Sequence, residues 1–124
     1  MTAESAGAPK PTEIRLKRDE KILEVAFADG KRFRLPAELL RVESPSAEVQ
    51  GHHGEGKQIV AGRRYIGILE LEPVGRYAIR IVFDDTHDTG IFSWAYLHEL
   101  GTNQDAIWNT YLAALKARGL SRDP

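Results

Sequence analysis

Apolar residues recur at every second position in two separate stretches of this chain, and at every third or fourth position near its end. A period of two puts successive side chains on opposite faces of a half-buried strand, whereas a period of 3.6 lines one face of a helix. In the first stretch Ile14 and Leu16 alternate with charged neighbours, and the pattern resumes after residues 18–21 through Leu23, Val25 and Phe27. Asp29-Gly30 is a tight-turn signal, because glycine accepts the positive φ that hairpin turns demand, and Phe33 and Leu35 continue beyond it. The second stretch predicts strands over residues 65–71 and 77–83, joined at Glu72-Pro73-Val74-Gly75, with Ile91-Phe92 as a short addition.

Pro36 can open a short helix over residues 37–41, since its missing N–H costs nothing in a first turn. Ser93 is placed to cap a helix carrying Trp94, Leu97 and Leu100, which Gly101 is expected to end. Thr102 with Asp105 resembles a capping box for a last helix bearing Ile107, Trp108, Tyr111, Leu112 and Leu115, closed by Gly119. The expectation is an α+β fold: a small, mostly antiparallel sheet packed by a short helix and a C-terminal amphipathic helix. Residues 1–11 and 121–124 read as tails around one domain spanning 12–120. Residues 43–57, rich in Ser, Pro, Gly, His and Glu without an apolar period, read as a long surface loop.

Composition excludes several chemistries. The chain has no cysteine, which removes disulfides, thiolate zinc sites and cysteine-ligated iron-sulfur clusters. Its 124 residues carry a net charge of -1, with no overall attraction to nucleic acid, and no apolar run is long enough for a membrane helix. The N terminus has neither a basic start nor an apolar run, so it is no secretory signal, and the expected location is the cytoplasm.

The candidate chemical groups are few. Gly51 to Lys57 has the spacing of a phosphate-binding loop, but Gln58 stands where a magnesium-holding hydroxyl belongs and neither a strand nor a helix is predicted to flank it. His52 and His53 are candidate metal ligands or solvated loop histidines, and with Lys57, Arg63 and Arg64 they form a candidate interaction surface. His87 follows a strand among Asp84, Asp85 and Asp88, where a carboxylate could orient its ring. A metal or catalytic role and a structural hydrogen bond are both open for it. Trp94, Trp108 and Tyr111 fall on helical core spacing and read as packing.

The string running from Leu40 through Ser44-Pro45-Ser46 to His52, then Ile68 to Ile79, then Phe83-Asp-Asp-Thr-His87-Asp-Thr-Gly90-Ile-Phe-Ser-Trp94, resembles small bacterial proteins built from the γ-butyrobetaine hydroxylase-like N-terminal domain. In the hydroxylases that resemblance implies a structural zinc held by a Cys-x-Cys-x-x-Cys segment and a later histidine, ahead of a separate iron and 2-oxoglutarate oxygenase domain. Here Ser44, Ser46 and Val49 stand at the cysteine positions and His87 at the histidine, so zinc or iron, if held, would rest on His87. The domain also looks like an appendage of P-loop ATPases that carry iron-sulfur clusters, which implies a protein partner of that class. The functional expectation is a non-catalytic interaction or accessory module, with a metal-binding or oxygenase-associated domain using His87 as the alternative.

Overall fold

The computed structural model describes residues 9–51 and 56–124. Three strands, β1 (Pro11–Lys17), β2 (Ile22–Phe27) and β3 (Arg32–Pro36), form an antiparallel sheet in the order β1-β2-β3. The pairing register sets Leu23 between Leu16 and Leu35, and Val25 between Ile14 and Phe33. The alternating residues therefore share one face, and that face is buried. The opposite face is a ladder of ion pairs in which Glu13 meets Arg15 and Arg32 while Arg34 meets Glu20 and Glu24. Such exposed pairs contribute little stability each, but they keep the outer face wet and the register unambiguous.

Two short helices follow, α1 (Ala37–Val42) and α2 (Ala47–Gln50). The second sheet is again antiparallel, with β4 (Ile68–Val74), β5 (Ala78–Phe83) and β6 (Ile91–Ser93) in that order. Two helices close the chain, α3 (Trp94–Thr102) and α4 (Gln104–Ala117). The expected single sheet is thus divided into two three-stranded sheets, and one core joins them: Leu23, Val25 and Leu35 from the first, Ile79, Ile81, Phe83 and Phe92 from the second, with Leu39, Leu40, Leu97 and Leu100 from the helices. Among the described residues no helix is long and apolar enough to cross a membrane.

Several local expectations change. The segment 43–57 is no surface loop at its start, because Ser44, Ser46 and Val49 are buried and Ser46 caps α2 by accepting the Glu48 N–H. Pro11, placed in the leading tail by its composition, begins β1. Residues 121–124 are held by backbone bonds from Gly62 N–H to Ser121 and from Arg64 N–H to Arg122, and Arg122 makes two bonds to the buried Glu38, at 2.6 and 2.9 Å. The Thr102–Asp105 capping box does not form: Asn103 is the N-cap of α4, without a side-chain bond, and the Thr102 hydroxyl lies 3.4 Å from His98 instead.

Gly101 does not end α3, which continues to Thr102. Its role is close approach. A Cβ at Gly101 would run into the ring of Phe33, which packs from β3 against the helix, so only glycine lets the helix lie on the first sheet. In an open helix Gly→Ala gains about 1 kcal/mol through propensity. Here Gly101→Ala is expected to lose about 1–3 kcal/mol by overpacking. Denaturant midpoints decide the sign, and a stabilised variant would contradict the packing.

Candidate functional site

Helix α1 enters the core with all six of its residues buried, including the charged Glu38 and Arg41. Charged groups are tolerated there only with partners. Glu38 faces Arg122, Arg41 Nε donates to Asp85 Oδ2 at 2.8 Å, and Glu43, the first residue after the helix, takes Lys57 Nζ at 2.6 Å. The Tyr96 hydroxyl of α3 donates to the Glu43 carbonyl at 2.5 Å, and the Tyr111 hydroxyl of α4 donates to the Val60 carbonyl at 2.6 Å. Burial pushes the Tyr96 and Tyr111 hydroxyls upward, that of Tyr111 to about 12, so both remain donors at neutral pH.

The chain leaving α1 carries Ser44 to the β5–β6 loop. There the backbone turns back so that Phe83 N–H bonds the His87 carbonyl at 3.0 Å, with Thr86 at a positive φ of 73°. Asp85 organises this turn: one carboxylate oxygen accepts the His87 N–H at 3.1 Å and the other accepts Arg41 and Arg63. Burial pushes the Asp85 carboxyl up, but the bonds from Arg41, the His87 backbone and Arg63 outweigh it and hold the group below the ordinary value.

The His87 ring is thereby delivered to Ser44, with Nε2 2.9 Å from Ser44 Oγ, and Nδ1 lies 2.8 Å from Glu48 Oε1. A carboxylate orients the imidazole as the sequence suggested. It comes from Glu48 on α2, however, and not from the neighbouring aspartates. Asp84 is exposed, Asp85 serves the backbone and Arg41, and Asp88 faces Arg80 at 3.6 Å. Ser46 Oγ is 2.7 Å from Thr89 Oγ1, and Val49 of the same segment is buried. Positions 44, 46 and 87 are therefore brought into one polar cluster, reached from two segments more than 35 residues apart.

A serine, a histidine and a carboxylate in hydrogen-bonded series suggest nucleophile activation. Access argues otherwise. Ser44 has 0% exposure and His87 6%, while the Glu48 side chain, at the far end of the series, is 63% exposed. The would-be nucleophile is the sealed end. Zinc fits no better, since hydroxyls replace thiolates, Val49 offers no donor, and both ring nitrogens of His87 are engaged. Among the described residues no group of three or more His, Asp or Glu side chains gathers to hold a metal ion.

The basic residues separate. Lys57 pairs with Glu43, Arg63 with Asp85, and Arg64 with Asp123 at 2.5 Å, so each cation has a carboxylate partner. His52 and His53 lie outside the described residues. Trp94 and Trp108 pack as their spacing implied, and Arg122 lies 5.2 Å from the Trp108 ring centroid. Sequence reasoning missed Glu48 and Arg41. Arg41 reads in the sequence as an ordinary helix residue and Glu48 as part of a surface loop, and their partners sit about 40 positions away.

Residues 14–98 match the family described as Gamma-butyrobetaine hydroxylase-like, N-terminal. Two proteins solved in solution by NMR are similar over nearly the whole length. One is 45% identical over 95% of this chain and 93% of its own, with a TM-score of 0.82. The other is 47% identical over 100% of this chain and 92% of its own, with a TM-score of 0.83. A crystal structure of a protein of unknown function in the DUF971 family, from Acidithiobacillus ferrooxidans, is 42% identical over 74% of this chain and 92% of its own, with a TM-score of 0.63. No curated protein matches the chain.

Burial, and after it the Arg41 guanidinium, hold the His87 imidazole below the ordinary histidine value against the pull of Glu48 and Asp85. The unfolded chain then takes up the proton more readily than the native one. This contribution to stability is complete above about pH 6.5 and is lost as pH falls toward the native value. Denaturant midpoints taken from about pH 7.5 down to about pH 5.5 are expected to decline. Midpoints that rise on acidification would contradict the assignment.

Proposed function

The chain belongs to the Gamma-butyrobetaine hydroxylase-like, N-terminal family, and on that premise we propose that it acts as a non-catalytic accessory module that binds a protein partner. The observation that carries this reading is the division between inside and outside. The Ser44, His87 and Ser46 side chains that could do chemistry are sealed, Ser44 bonded to His87 and Ser46 to Thr89, whereas Leu69, Val74, Tyr77 and Ile91 of the second sheet and its hairpin turn stand exposed. Exposed aromatic and aliphatic side chains on a rigid sheet supply contact area at little conformational cost, which suits binding.

The partner class that the resemblance implies is an iron-sulfur cluster carrier ATPase. A chain without cysteine would dock on such a carrier or regulate it and would not ligate its cluster. Titration calorimetry of the purified chain against a purified carrier ATPase tests this. Saturable binding is expected, weakened at least about tenfold in Tyr77→Asp and Ile91→Asp, whose exposed positions leave the core untouched. No heat of binding to the carrier, or equal affinity in the variants, would overturn the reading.

A further inference from the structure

We propose that a closed ring of hydrogen bonds through Ser44, His87, Glu48, Thr89 and Ser46 does in this chain the work of a bound metal, tying the α1–α2 corner to the β5–β6 loop with no ion at its centre. The direction of every bond follows from one group. An ionised carboxylate only accepts, so His87 Nδ1 carries the proton it gives to Glu48 Oε1, at 2.8 Å. Nε2 is then bare and accepts from the Ser44 hydroxyl at 2.9 Å. Ser44 Oγ accepts in turn from the Ser46 N–H at 3.3 Å.

The other arm obeys the same rule. The Thr89 hydroxyl donates to Glu48 Oε1 at 3.2 Å, which leaves Thr89 Oγ1 to accept from the Ser46 hydroxyl at 2.7 Å. Ser46 Oγ accepts the Glu48 N–H at 3.2 Å and closes the ring. Each hydroxyl donates once and accepts at least once, and no proton lacks an acceptor.

The spacing is that of a shared proton. Zinc bonds of about 2.0–2.3 Å in a tetrahedron hold ligand atoms roughly 3.5 Å apart, while Ser44 Oγ and His87 Nε2 are only 2.9 Å apart. Gly90 forms the wall behind Ser44, where a Cβ would collide with the Ser44 hydroxyl, so the loop can close on the serine only because residue 90 lacks a side chain. The ring thus joins segments 44–48 and 87–89 through five side chains, as a metal knot joins distant ligands, but its strength depends on geometry and protonation alone.

Long-range 1H–15N spectra of the wild-type chain at neutral pH test the ring directly, by reading which ring nitrogen of His87 bears the proton. The Nδ1–H tautomer is expected, unchanged by EDTA or by one equivalent of zinc chloride, and the thermal midpoint should move by less than about 1 °C in either case. Ser44→Ala, which leaves Nε2 buried without a donor, should lower the midpoint by roughly 4–10 °C, equally with and without chelator. An Nε2–H tautomer, a midpoint that chelation lowers or zinc raises by about 5 °C or more, or a Ser44→Ala midpoint equal to wild type would each overturn the proposal. The wild-type spectrum and chelation decide the matter even if Ser44→Ala does not fold.

Discussion

Helix α1 is buried on every side although two of its six residues are charged, and the arrangement around it follows from the need to partner them. A lone buried charge costs several kcal/mol, and an exposed segment cannot supply its counterion unless it is pinned nearby. Glu38 therefore holds Arg122 and with it the end of the chain. Arg41 holds Asp85 and the turn after β5, and Glu43 holds Lys57 and the segment that leads to β4. Three stretches without regular structure are fixed by one short helix and the residue that caps its end.

Asp85 links that requirement to the polar cluster. By taking Arg41 on one oxygen and the His87 N–H on the other, it places the imidazole directly beside Ser44, the second residue after α1. The Ser44, Ser46 and His87 side chains are consequently part of the scaffold. They are inaccessible, mutually satisfied and set by backbone turns. Among the described residues, a charged face on the first sheet and separate apolar side chains at the margins of the second are exposed.

The sheet pattern was legible because its signal is local. Ile14, Leu16, Leu23, Val25, Phe33 and Leu35 alternate in sequence and meet on one face in the structure. The α3 cap at Ser93 was legible for the same reason, since its bond to the Tyr96 N–H spans three residues. The misread parts depend on distant partners. Gly101 looked like a helix stop until Phe33 packed on it, and residues 43–57 looked solvated until Ser44 and Val49 were covered. Of the cluster, the resemblance identified Ser44, Ser46 and His87 as one site. Glu48 was hidden, because nothing in a Ser-Ala-Glu helix start announces a histidine 39 positions away.

On our proposal this polar core holds itself together, with hydrogen bonds and ion pairs standing in place of a metal. Elemental analysis of the chain, purified without a histidine tag and without added chelator, tests it most directly. Less than about a tenth of an equivalent of zinc or iron per chain is expected. About one equivalent, lost in His87→Ala, would contradict it.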